Sequence, residues 1–199
     1  MKSCCKYLFV KNFPILLLLL FTLLLSACYS KEIDNKKDAT IAANLQIEDI
    51  IYKTLISNET DEYKAKKIFE NINLIDWSSY QSISGNNSND LLSFLERNLS
   101  NTDDNGKLNF LRATTKLDGA YAERYSSIVG DLFLKDKRNT IHLISKLDAP
   151  KQKEIVDYIL FNFSANDKLR IKKDIEQLKG LDINDDERRV VDLFLERLK

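Results

Sequence analysis

Three stretches of this chain carry residue types whose spacing could do chemistry. The first is Asn101-Thr102-Asp103-Asp104-Asn105-Gly106-Lys107-Leu108-Asn109, between two apolar helical runs. Read on the spacing of a calcium loop, Asn101, Asp103 and Asn105 take the first three ligand positions, Gly106 the obligatory turn and Leu108 the apolar position beyond it. The closing position, where calcium needs a bidentate glutamate, is Arg112, a cation that opposes the ion. The first ligand is also a neutral amide. The expectation is an interhelical turn with glycine, and no metal site.

The second stretch surrounds His142, the only histidine, which stands between Ile141 and Leu143 on a predicted helix. It could act as a general base, but no second histidine exists to share a metal, so a structural or surface role is expected. The third is the acidic run from Asp182 to Glu187. Acids at a helix start answer the helix dipole, which accounts for them without a metal. No glycine-rich phosphate loop, Gly-x-Ser-x-Gly elbow or His-Glu-x-x-His occurs, so neither catalytic residues nor a cofactor are expected. Trp77, Tyr80, Tyr121 and Tyr125 could form a ligand or partner surface. Core packing is the competing reading for Tyr121 and Tyr125, while Trp77 in its loop is left open.

The elements that would position these residues read as helices. Ile41, Leu45, Ile50, Ile51 and Leu55 predict a helix over 39–57, and Asn58 with Asp61 predicts the start of another carrying Tyr63, Ile68, Phe69 and Ile72. Residues 76–90, rich in Ser, Asn and Gly, predict a loop. Leu91, Leu92, Leu95 and Leu99 resume a helix, and from 107 onward short helices alternate with short turns. Asp148-Ala149-Pro150 suits a helix start, Ser164 to Asp167 caps another, and Asn184 with Glu187 has capping-box spacing.

The sets beginning at Ile155 and Val190 are apolar at i, i+1, i+4, i+5 and i+8, and the set at Ile128 follows its first four positions. Such a stripe suits a helix buried on one side against two neighbours. The fold class expected is all-α over 39–199. It is either an irregular helical-hairpin stack, similar to HEAT or armadillo superhelices without their consensus, or a helical bundle of about eight helices.

The beginning of the chain reads differently. Lys2, Lys6 and Lys11 precede an apolar run from Phe13 to Leu25, and no acid occurs before Glu32. The run is shorter than the roughly 20 residues a spanning helix needs, so it reads as an export signal. It ends in Leu25-Ser26-Ala27-Cys28, and with the basic leader and apolar core this resembles the lipobox of the bacterial prolipoprotein family. The resemblance covers residues 1–28. It implies a signal peptide over 1–27, removal of Cys4 and Cys5 with it, lipid attachment at Cys28 through a thioether, and a polar tether over 28–38. It also places the protein in the bacterial cell envelope, lipid-anchored to a membrane. That is the outer membrane facing the periplasm in a Gram-negative cell, where Tyr29 rather than aspartate follows the cysteine, or the outer face of the cell membrane in a Gram-positive one.

Removal of 1–27 leaves 172 residues with 27 basic and 30 acidic side chains, a balanced surface that gives no field for nucleic acid. Only Cys28 would remain, so no disulfide is expected and burial must hold the fold. Five glycines and two prolines fit helices on short turns. The function expected is a non-enzymatic, membrane-anchored envelope lipoprotein whose helical domain binds or scaffolds another envelope protein. The alternative is a small-molecule-binding or hydrolytic lipoprotein with a site between helices.

Overall fold

Helix after helix in this chain starts at a side chain that accepts a hydrogen bond from its own first turn. The backbone N–H groups of Tyr63, Ser79, Gly106, Asn139, Lys151, Asp167 and Glu187 donate to the side chains of Thr60, Asp76, Asp103, Asp136, Asp148, Ser164 and Asn184 respectively. Each cap satisfies a donor that the helix itself leaves open, a contribution of about 1 kcal/mol. At Ser164 and Asn184 the bond is reciprocated by Asp167 and Glu187, closing the two capping boxes that the sequence predicts.

The computed structural model describes residues 46–199, which form one compact unit that is all α-helical, with no strand among the described residues. The leader, the tether, Cys28 and the first part of the helix expected over 39–57 lie outside the described residues. The helices are α1 (Ile47–Ile56), α2 (Asp61–Asn71), α3 (Trp77–Ser84), α4 (Ser88–Leu99) and α5 (Asp104–Arg112). They continue as α6 (Gly119–Lys135), α7 (Lys137–Ser145), α8 (Ala149–Phe161), α9 (Ala165–Lys179) and α10 (Asp185–Arg197). Short 3-10 turns, Ile72–Leu74 and Gly85–Asn87, flank α3.

Packing follows two rows. In one, α4 lies against α6 and α6 against α8; in the other, α2 meets α5, α5 meets α7 and α7 meets α10. α1 and α2 form a hairpin, α3 packs on α1, and α9 pairs with α10. The stripes read from the sequence face inward: Ile128, Val129, Leu132 and Phe133 of α6, Ile155, Val156, Ile159 and Leu160 of α8, and Val190, Val191 and Phe194 of α10 are all buried. Phe133 and Phe194 stack with ring centres 5.0 Å apart, joining α6 to α10.

The structure corrects the loop expected over 76–90. Trp77–Ser84 is a helix, because Asp76 caps it and its two aromatic residues are drawn into the core. Trp77 Nε1 donates to the Ala113 carbonyl at 2.7 Å, Tyr80 is wholly buried, and the two rings meet edge-on. Burial of this size outweighs the weak helix propensity of Ser-Ser-Tyr-Gln-Ser.

Candidate docking groove

The groove arises from a mismatch in side-chain size between α6 and α8, the most extensively packed pair of helices. At Gly130 of α6 the two helices come close: a side chain there would touch Phe163 Cζ at 3.5 Å and the Ile159 carbonyl at 3.8 Å. Towards the start of α6 the groove is lined, beside Glu123, by Gly119, Ala122 and Ser126, spaced i, i+3 and i+7 and therefore on one face. They are too small to fill the gap. What remains is a groove of about 630 Å³.

Its other wall is the length of α8, from Pro150 through Lys153 and Asp157 to Phe161. Tyr158 is half-buried and meets the buried Tyr125 edge-on at 5.2 Å. Phe161 stands 65% exposed. The acids along this wall are mostly answered: Glu154 pairs with Lys151 at 2.7 Å, and Asp157 lies 2.8 Å from Arg197 Nε, an ion pair without hydrogen-bond geometry. Burial, with the charge of Glu154 added, pushes the Tyr158 hydroxyl above its usual pKa, so it stays protonated and donor-competent. The result is an apolar trough edged by the paired Glu154 and Asp157 and by Glu123 and Lys153, which make no ion pair among the described residues.

Several residues singled out by the sequence do other work. Asp103 is the cap of α5, and Gly106 lies inside that helix's first turn rather than in an interhelical turn. The reason is steric: a Cβ at Gly106 would fall 2.3 Å from Thr102 Oγ1 and 3.2 Å from Phe69 Cβ, so glycine lets α5 seat against α2. Asn109 Nδ2 donates to the Phe69 carbonyl at 3.0 Å, and Asp104 accepts from Asn139, which with Lys107 holds its carboxyl below the usual range against the opposing effect of burial. These groups serve packing.

His142 on α7 meets Glu187 on α10, with Nδ1 2.7 Å from Oε1. In the run Asp182 to Glu187, Glu187 closes the capping box and Asp186 pairs with Arg189. Among the described residues no three His, Cys, Asp or Glu side chains are grouped to hold a metal ion. Trp77, Tyr80 and Tyr125 do not form a ligand surface: all three are buried, and the Tyr125 hydroxyl donates to the carbonyls of Phe110 and Leu111, each at 3.2 Å. Tyr121 is half-buried and stacks on Trp77 at 6.2 Å.

The sequence reading missed the groove. A signal for it exists, because the small residues of α6 recur on one face while Phe161 ends an apolar helix without a buried position to occupy. That signal acquires meaning only once α8 is known to be the neighbour. Comparison with known proteins found no matching family profile, no matching curated protein and no matching solved structure.

Proposed function

We propose that the protein is a non-enzymatic bacterial envelope lipoprotein, held to a membrane by lipid on Cys28, whose helical domain binds another envelope protein through the α6–α8 groove. The anchor rests on Leu25-Ser26-Ala27-Cys28 behind a basic and apolar leader. One acyl chain holds a protein only marginally, whereas the two or three expected on such a cysteine hold it stably. Among the described residues no helix is long and apolar enough to cross a membrane. In this reading attachment falls to Cys28.

The observation that carries the binding role is Phe161, uncovered at the end of an apolar groove that has charged side chains along its edge. Interfaces are built from such parts: an aromatic anchor, an apolar centre and a polar rim.

Two experiments test it. Cys28→Ala is expected to move the protein from the membrane to the soluble fraction, and the intact mass of native material is expected to show two or three acyl chains; an unmodified or differently cut start overturns the anchor. A photo-crosslinking side chain placed at Lys153 in intact cells is expected to give a discrete protein adduct that Phe161→Asp abolishes and Leu169→Asp, an equally exposed site on α9, leaves intact. No adduct, or one insensitive to Phe161, overturns the binding role.

A further inference from the structure

A separate recess of about 270 Å³ lies between the N-terminal helices and α4, and it shares no residue with the α6–α8 groove. Tyr52 of α1 and Phe94 of α4 give it an aromatic lining. Four charged side chains surround that lining: Asp61 and Lys64 from α2, Asp90 and Arg97 from α4. Each wall thus presents one acid and one base. None of the four makes an ion pair among the described residues.

That sets the recess apart from other helix starts in this protein. Acid followed by base at i, i+3 closes into a pair at Asp104 and Lys107, at Asp167 and Arg170, and at Asp186 and Arg189. Where Asp185 precedes Arg188, the cation is engaged elsewhere, with the Ile183 carbonyl. Asp61 and Lys64 have the same order and spacing, yet stay apart and unengaged. Outside the lining, Tyr80 is wholly buried with a hydroxyl that has no hydrogen-bond partner, and its ring meets Tyr52 of the recess edge-on at 6.3 Å. Charges of both signs left without partners around an aromatic lining suit a ligand that itself carries both signs.

We propose that this recess binds a small zwitterion, a free α-amino acid with an apolar side chain. The ammonium group meets Asp61 and Asp90, the carboxylate meets Lys64 and the fork of Arg97, and the side chain lies on Tyr52 and Phe94. The guanidinium fork matches a carboxylate through two parallel hydrogen bonds. Size agrees, since the recess falls just below the roughly 300–1,000 Å³ of sites for drug-sized ligands. A ligand of one sign only would leave two side chains facing a like charge, which is why both ends of the zwitterion are required.

The test is calorimetric titration of the full-length protein in detergent with leucine, isoleucine, valine, methionine and phenylalanine, followed by leucinamide and N-acetyl-leucine. Saturable binding of at least one amino acid is expected, weakened about tenfold or more when either the carboxylate or the ammonium is blocked on leucine. Arg97→Gln and Asp90→Asn are each expected to weaken it about tenfold without changing the melting profile. Should either variant unfold, Lys64→Gln serves in its place. No heat with any of the five amino acids overturns the proposal, as does equal binding of the blocked derivatives or undiminished binding by the variants.

Discussion

Glu187 Oε1 lies 2.7 Å from His142 Nδ1 while the same carboxylate accepts the backbone N–H of Asn184 through Oε2 at 3.1 Å. One side chain therefore closes a capping box on α10 and ties that helix to α7. Burial pushes the Glu187 carboxyl upward, but the hydrogen bonds from His142 and Asn184 outweigh it and leave its pKa below the ordinary glutamate value.

A depressed carboxyl pKa gives stability that is present above the ordinary carboxylate range and is lost as pH falls through the lowered folded value. Glu187→Gln is expected to cost about 1 kcal/mol at neutral pH. The gap between variant and parent should narrow in acid. Urea unfolding of both proteins at pH values through and below the carboxylate range measures it, and a gap that persists once the carboxyl is protonated contradicts the assignment.

Two buried tyrosines invite opposite outcomes from the same substitution. Tyr80 has no partner for its hydroxyl, whereas Tyr125 donates to the carbonyls of Phe110 and Leu111. Tyr80→Phe is expected to raise stability by about 1 kcal/mol, and Tyr125→Phe to lower it by a similar amount. Burial pushes both hydroxyls above the usual tyrosine pKa, so neither ionises across the range in which unfolding would be followed.

Gly106→Ala should destabilise, against the rule that alanine improves a helix by about 1 kcal/mol over glycine. The added methyl would collide with Thr102 and crowd Phe69 Cβ. Overpacking of this kind costs about 1–3 kcal/mol. A thermal melt of the variant measures the net loss.

Trp77→Phe is expected to destabilise by about 1–3 kcal/mol, because it leaves the buried Ala113 carbonyl without the indole donor and opens space beside Tyr121. The loss should appear in equilibrium unfolding, with helix content before the transition unchanged.

Much of the helical layout was legible from residues a few positions apart. Asp148 with Pro150, Ser164 with Asp167 and Asn184 with Glu187 mark helix starts because a cap is a contact within one turn, and the structure places caps at each. The stripes at Ile128, Ile155 and Val190 were legible for the same reason: burial on one face imposes a period on the chain. Residues 76–90 were not, since α3 owes its existence to partners as distant in sequence as Ala113, which no local pattern reveals. Gly106 looked like a turn residue when it is a contact point between α5 and α2.

By itself, then, the sequence determined that the domain is helical, where most of its helices begin and which faces they bury, because caps and periodicity are properties of neighbouring residues. It also carries Leu25-Ser26-Ala27-Cys28, the residues on which the proposed anchor at Cys28 rests. Only the tertiary structure decided that α6 lies beside α8, so that Gly119, Ala122 and Ser126 fail to cover Phe161, and that Asp61, Lys64, Asp90 and Arg97 surround one recess. Those relations depend on which helices become neighbours, and pairing between distant helices is set by the packing of the whole core.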